Sequence, residues 1–195
     1  QTVNVLSIWN ALVPCQPAEG ESAEPCLTQL AEELGYRLWR RPLQAAEVAP
    51  MVTVALDAVE TLDGFPSGVQ YLITTLLTSP HFIYLMTPSK ETEDGGLEYT
   101  DYAMASRLSF FLWNTGPDTA LLEAAAAGEL TTDDGLETQI DRLLADPRAQ
   151  QGMRAFFSDW LELETLDKLV KDPNVFEHFS SKLGEDAKEE TLRVM

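Results

Sequence analysis

From residue 24 onward the apolar positions of the chain recur at helical spacing. Leu27, Leu30, Leu34 and Leu38 fall every three or four residues, which places them on one face of a helix. The pattern predicts a helix over 24–41, stopped by Pro42, with Arg40 and Arg41 in its last turn, where cations complement the helix dipole. Tyr36 and Trp39 fall on other faces, so this helix should have neighbours on two sides. A second helix is expected over 43–63, with Glu47 near its start, Gly64 just past its end, and a kink or late start at Pro50. A third covers 66–78, with Val69, Leu72, Ile73, Leu76 and Leu77 on one side, and Pro80 breaks it before HFIYLM.

The polar stretch TPSKETEDGGLEYTD (87–101), with Pro and paired Gly, is the best internal boundary. Beyond it the pattern predicts helices at about 100–114, 117–127, 132–145, 147–163 and from about 181 onward. Asp146 before Pro147, and Asn114-Thr115 before Pro117, read as N-cap chemistry. Residues 1–13, with VNVLSIW, alternate weakly and suit a strand or an extended arm. The expected fold is all-α: a bundle-like array of about eight helices with a short extended N-terminal arm. The expected organisation is an arm at 1–26, a first helical subdomain at 27–88 and a second at 97–195. The abrupt start QTVNVLSIWN and the helix-like end KEETLRVM suggest a piece of a longer protein, with the second subdomain cut at its C-terminus.

Charge narrows the partners. The chain carries 32 acidic residues against 13 Lys plus Arg, a net charge of −19. Such a surface repels phosphate backbones and anionic membranes, so nucleic acid is a poor partner. No apolar stretch reaches the ~18–20 residues needed to span a bilayer. Cys15 and Cys26 flank a polar loop with two prolines and a glycine. The pair reads either as a disulfide, worth about 2–3 kcal/mol for so short a loop, or as two unrelated thiols. A disulfide would place the chain outside the cytosol.

Residues that could carry chemistry are few. His81 and His178 are the only histidines, and neither has the companions of a metal or haem site. The GxSxG, GxGxxG and GxxxxGK[ST] patterns are absent. The acidic runs Glu91-Glu93-Asp94 and Asp133-Asp134 lack a calcium-wrapping loop and read as a solvated loop and a helix start. Trp39, Trp113 and Trp160 fall at helical spacing and read as packing anchors. No catalytic residue can be named, and no metal or cofactor is expected within these residues.

Several stretches carry a resemblance together: CLTQLAEELGYRLWRRPL (26–43), LLTSPHFIY (76–84), ASRLSFFLWNTGPDTALLEAAAAGEL (105–130), LLADPRA (143–149), FFSDWLEL (156–163) and KDPNVFEHF (171–179). In order and spacing they resemble a tandem of uncharacterised domains from large exported proteins of planctomycetes and myxobacteria, some of which also carry c-type cytochrome modules. The resemblance implies a periplasmic or cell-surface location, and it adds to the case for pairing Cys15 with Cys26. Relatives tend to follow SPHFIY with an arginine and an acidic residue, where this chain has Leu85-Met86. The role of that charged pair therefore does not carry over.

Three functions follow as expectations. The first is a non-catalytic scaffold or interaction module, whose partners are other domains of the same protein or a partner chain. The second is part of an extracytoplasmic redox enzyme whose haem c sits on another domain or subunit. The third is a carbohydrate-active hydrolase, which needs two carboxylates about 5–10 Å apart across a cleft.

One residue sharpens the packing question. ASRLSFFLWN (105–114) places Arg107 inside an apolar run. A helix apolar nearly all round should be central, and a buried guanidinium needs a carboxylate partner. Asp118 and Asp159 are the expected partners of Arg107, both within the stretches that carry the resemblance. A ligand carboxylate is the alternative.

Overall fold

The computed structural model describes residues 9, 12, 13, 15–18, 20–92, 94–172, 174–180 and 182–195. The fold is all-α, with one small hairpin. Its first half holds α1 (Glu24–Trp39), α2 (Ala45–Thr61), α3 (Phe65–Thr78) and the short α4 (Pro80–Ile83). The hairpin strands are β1 (Ser89–Glu91) and β2 (Leu97–Tyr99). The second half holds α5 (Asp101–Trp113), α6 (Thr119–Ala126), α7 (Asp133–Ala145), α8 (Pro147–Trp160), a 3₁₀ turn (Leu163–Lys168) and α9 (Lys182–Val194).

The leucine spacing of the first half becomes its core. Leu27, Leu30, Leu72 and Leu76 are fully buried, with Ala55 and Val69 between them. Each such leucine stabilises the fold by about 1.5–3 kcal/mol relative to exposure. A capping box opens α2: the Gln44 side chain accepts from the Glu47 backbone, and the Gln44 N–H donates to Glu47 Oε2 at 2.8 Å. The helix then runs on through Pro50. The backbones of α2 and α3 approach closely at Gly68, where a Cβ would collide with the Val59 side chain and the Ala55 carbonyl. Ser79 ends α3 and caps α4, accepting from the His81 N–H at 3.3 Å.

The N-terminal arm is not extended throughout. Trp9 and Leu12 are helical, and the Val13 N–H donates to the Trp9 carbonyl at 2.8 Å, a helical spacing. Val13 is buried and Trp9 packs against the first core, so apolar contact fixes this turn where an alternating strand was expected. The rest of the expected strand, residues 1–8, 10 and 11, lies outside the described residues. Cys15 and Cys26 are bonded, which ties the arm to the first turn of α1.

Two further expectations change in the second half. The polar boundary folds as an antiparallel hairpin, pairing Ser89 with Tyr99 and Glu91 with Leu97. Its turn contains Gly95 at φ 81°, a conformation that glycine adopts without strain. Asn114 does not open the following helix. It closes α5 in a left-handed conformation at φ 55°, and Asp118 caps α6 by accepting from the Leu121 N–H at 3.0 Å. The helix predicted over 147–163 stops at Trp160, because Glu162 turns left-handed at φ 51°.

The ion pair expected for Arg107 does not form. Arg107 is exposed and makes no ion pair among the described residues; its guanidinium lies 4.5 Å from the centre of the Tyr99 ring. Asp159 is exposed. The reason lies in what α5 buries: Ala103, Ala105, Ser106, Ser109 and Trp113. The Ser106 hydroxyl donates to the Tyr102 carbonyl and the Ser109 hydroxyl to the Ser106 carbonyl, so both serines pack as small residues. That turns Arg107 and Phe111, which is 83% exposed, outward.

Asp118 does tie helices together, but through other arginines. It accepts from Arg142 NH1 and NH2 at 2.9 and 3.1 Å and from Arg148 NH2 at 3.2 Å. Asp146, the cap of α8, accepts from the Arg148 backbone N–H, Nε and NH2 at 2.8–2.9 Å. The Arg148 guanidinium covers the Trp113 ring at 3.4 Å, and the Trp113 indole N–H donates to the Leu143 carbonyl at 2.9 Å. One network therefore links α5, α6, α7 and α8. Burial pushes the Asp118 carboxyl up, but hydrogen bonds from Arg142 and the Leu121 amide outweigh it and leave the group below its ordinary value. Arg148→Ala should cost roughly 1–2 kcal/mol in urea unfolding, and Arg107→Ala less than about 0.5 kcal/mol. Equal losses would contradict this assignment.

Candidate functional site

The two halves meet where α1 turns toward α5. The Tyr36 hydroxyl donates to the Leu122 carbonyl at 3.2 Å, and its ring stands edge-on to Tyr102 at 6.3 Å. Burial, followed by the neighbouring Tyr102, pushes the Tyr36 phenol up to about 12. Tyr36 and Trp39 do face different neighbours, as their helical positions implied: Tyr36 faces the second half, and the Trp39 indole donates to the Leu76 carbonyl at 3.1 Å.

Beside this junction lies a cavity of about 750 Å³. Its walls are the α1–α2 connection from Trp39 to Gln44, His81, residues Met86 to Pro88, and Thr100, Tyr102, Ala103 and Ser106 at the start of α5. The two arginines in the wall are held very differently.

Arg41 is neutralised. It donates to Glu47 through NH1 at 2.9 Å and NH2 at 2.7 Å, a bidentate pair. The Arg41 hydrogen bonds hold the Glu47 carboxyl down to about 2. His81 joins this cluster, with Nε2 3.8 Å from Glu47 Oε1 and its ring 4.7 Å from that of Trp39. The Arg41 guanidinium lies 5.5 Å from the Trp39 ring centre.

Arg40 is not neutralised. It is only 6% exposed and takes a left-handed conformation at φ 60°. Its guanidinium donates to three carbonyls, Leu38 at 3.1 Å, His81 at 2.7 Å and Tyr84 at 3.0 Å. It lies 5.6 Å from the Phe110 ring centre, across the junction. Burial pushes its pKa down from its ordinary value. No carboxylate among the described residues pairs with it, and the cavity wall contains no Asp or Glu.

The other residues singled out from the sequence lie elsewhere. His178 is exposed, next to Phe176 and Leu183 on the far part of the second half. Asp133 and Asp134 occupy the first turn of α7, and Glu91 and Asp94 lie in the hairpin; Glu93 is outside the described residues. No group of three potential metal ligands occurs among the described residues. Trp39 and Trp113 are buried anchors, but Trp160 is 67% exposed, because α8 turns it away from α5. With Met153 and Phe156, exposed by 52% and 58%, it forms an apolar stripe along α8. Of the Leu85-Met86 pair, Met86 lines the cavity and Leu85 borders a shallower hollow beside Arg107.

Sequence reasoning missed Arg40 and Arg41 as site residues. Their place in a last helical turn gave them a sufficient role at the surface. The signal available was the pair of arginines just before Pro42 with Glu47 one helical turn into α2.

The Arg41–Glu47 pair sets a pH dependence. Glu47 titrates well below the ordinary carboxylate value of 4.5, so the stability it contributes is present above about pH 4.5 and is lost as pH falls toward about 2. The melting temperature of Glu47→Gln should therefore lie below that of the wild type at pH 6, and the gap should narrow markedly by about pH 2.5. A gap unchanged between those pH values would refute the pairing.

Residues 26–86 match the family model described as PSD5, protein of unknown function (DUF1595), and residues 99–195 match that described as PSD4, protein of unknown function (DUF1592). No curated protein and no solved structure matches the chain. The chain thus carries two uncharacterised domains in tandem, and the cavity lies between them.

Proposed function

We propose that this tandem of domains is a non-catalytic interaction module of a larger exported protein, which docks another domain of that protein through α8. The observation that carries this reading is the stripe of Met153, Phe156 and Trp160. These positions repeat at helical spacing and stand in water, although Phe and Trp gain more than most residues from burial. Aromatic side chains of this kind anchor protein contacts. The acids Asp159, Glu162 and Glu164 are exposed at the same end of α8, and the chain as a whole is strongly acidic. The docked surface is accordingly an apolar groove with a basic rim.

Export is supported by the bonded cysteines, since such bonds persist in oxidising compartments. No described helix is long and apolar enough to cross a membrane. The resemblance to tandems in large exported planctomycete and myxobacterial proteins supports the same reading. A hydrolase needs facing carboxylates, and the wall of the cavity between the two domains has none. In the redox alternative, haem c is carried by another domain or subunit.

The test uses the complete polypeptide as its source makes it, with a benzophenone amino acid at position 156. Irradiation should cross-link this position to peptides outside residues 1–195, whereas the same group at the exposed Asp57 on α2 should give background only. Equal yields at both positions would overturn the proposal. Cross-links into a domain with a haem absorption band would favour the redox alternative.

A further inference from the structure

We infer that the cavity between the two domains binds a small organic carboxylate, with its anionic end on Arg40 and its apolar body against Leu43, Met86 and Pro88. This goes beyond the docking role of α8 and rests on different residues.

Three observations converge on Arg40. Its side chain is buried without a carboxylate among the described residues. A buried charge left in that state costs several kcal/mol unless a counter-charge joins it. Its backbone is left-handed, a conformation that costs a non-glycine residue about 1–2 kcal/mol. Finally, it forms part of the wall of a cavity large enough for a small organic molecule.

The uncompensated charge of Arg40 favours an anion. A guanidinium has five N–H groups. Three of those of Arg40 reach the carbonyls of Leu38, His81 and Tyr84. Those acceptors are neutral, so they fix the orientation of the group without cancelling its charge. The two remaining N–H groups, on Nε and Nη1, lie on different edges of the guanidinium, so a carboxylate takes a single charge-assisted hydrogen bond from one of them and supplies the missing negative charge. Arg41 and His81 add positive and polar surface nearby, and Glu47 offsets Arg41 from outside the cavity wall. The apolar part of the wall would strip inorganic phosphate of its hydration without replacing it. The acidic chain as a whole works against anion binding at long range, but the Debye length of about 8 Å at physiological salt confines the balance to the local groups.

The test is titration calorimetry on the 195-residue chain in 0.15 M salt. The probes are phenylacetate, indole-3-acetate and octanoate, each with its matched primary amide, and inorganic phosphate. At least one carboxylate should saturate, with its amide at least about tenfold weaker and with no saturation by phosphate. Arg40→Gln, checked for folding by circular dichroism, should weaken the carboxylate by about tenfold or more. Thr87→Trp adds bulk to the cavity wall without touching Arg40 and should weaken acid and amide alike. This second variant decides the matter if Arg40→Gln does not fold. Absence of saturation by every carboxylate up to about 10 mM, equal affinity for acid and amide, or indifference to both variants would overturn the inference. None of these outcomes bears on the cross-link at position 156.

Discussion

A guanidinium taken out of water must be given hydrogen-bond acceptors, and those acceptors must then stay in place. Arg40 imposes this requirement on the junction between the two domains. Its three carbonyl partners come from Leu38 at the end of α1 and from His81 and Tyr84 of the SPHFIY segment, and Phe110 of α5 closes over it from the other domain. The path of the chain from Pro80 to Tyr84 is therefore tied to the C-terminus of α1. The cavity exists because this tie and the start of α5 leave space between them. Tyr36, packed on Tyr102 and bonded to the Leu122 carbonyl, holds the other side of the same junction.

The two domains use arginine in opposite ways. In the second, Arg142 and Arg148 are balanced by Asp118 and Asp146, and their charged groups lie against Trp113. Each carboxylate also caps a helix, so removing either one would lose a cap and an ion pair together. That is a structural arrangement, complete in itself. In the first domain Arg41 is balanced by Glu47 but Arg40 is not. Arg40 thus ties the junction through neutral carbonyls while keeping a charge that no carboxylate among the described residues balances.

Much of this fold could be read from spacing. The leucines of α1, with Leu72 and Leu76 of α3, repeat with the helical period and do form the first core, whereas Leu77, expected on the same face, is exposed; Asp146-Pro147 marked a real helix start. The hairpin was harder to see because its strands are three residues each, too short for alternation to show, and lie in a polar run. Arg107 misled because hydropathy treats serine as polar. In α5 the serine hydroxyls bond back to their own helix, so Ser106 and Ser109 could pack inward while Phe111 turned out. Trp160 misled in the opposite way, since an aromatic residue at helical spacing is usually core. His81 was visible as a candidate only in isolation; its neighbours Trp39 and Glu47 lie on other elements. Arg40 was least legible of all. A left-handed residue at a helix end is commonly Gly or Asn, and nothing local marks an arginine for that position.

Scanning calorimetry of the wild type beside Arg40→Gln tests most directly whether the buried guanidinium couples the two domains. The account predicts a single wild-type endotherm whose calorimetric and van't Hoff enthalpies agree, and two separated endotherms for Arg40→Gln. Two transitions in the wild type, or one transition at an unchanged midpoint in Arg40→Gln, would contradict it.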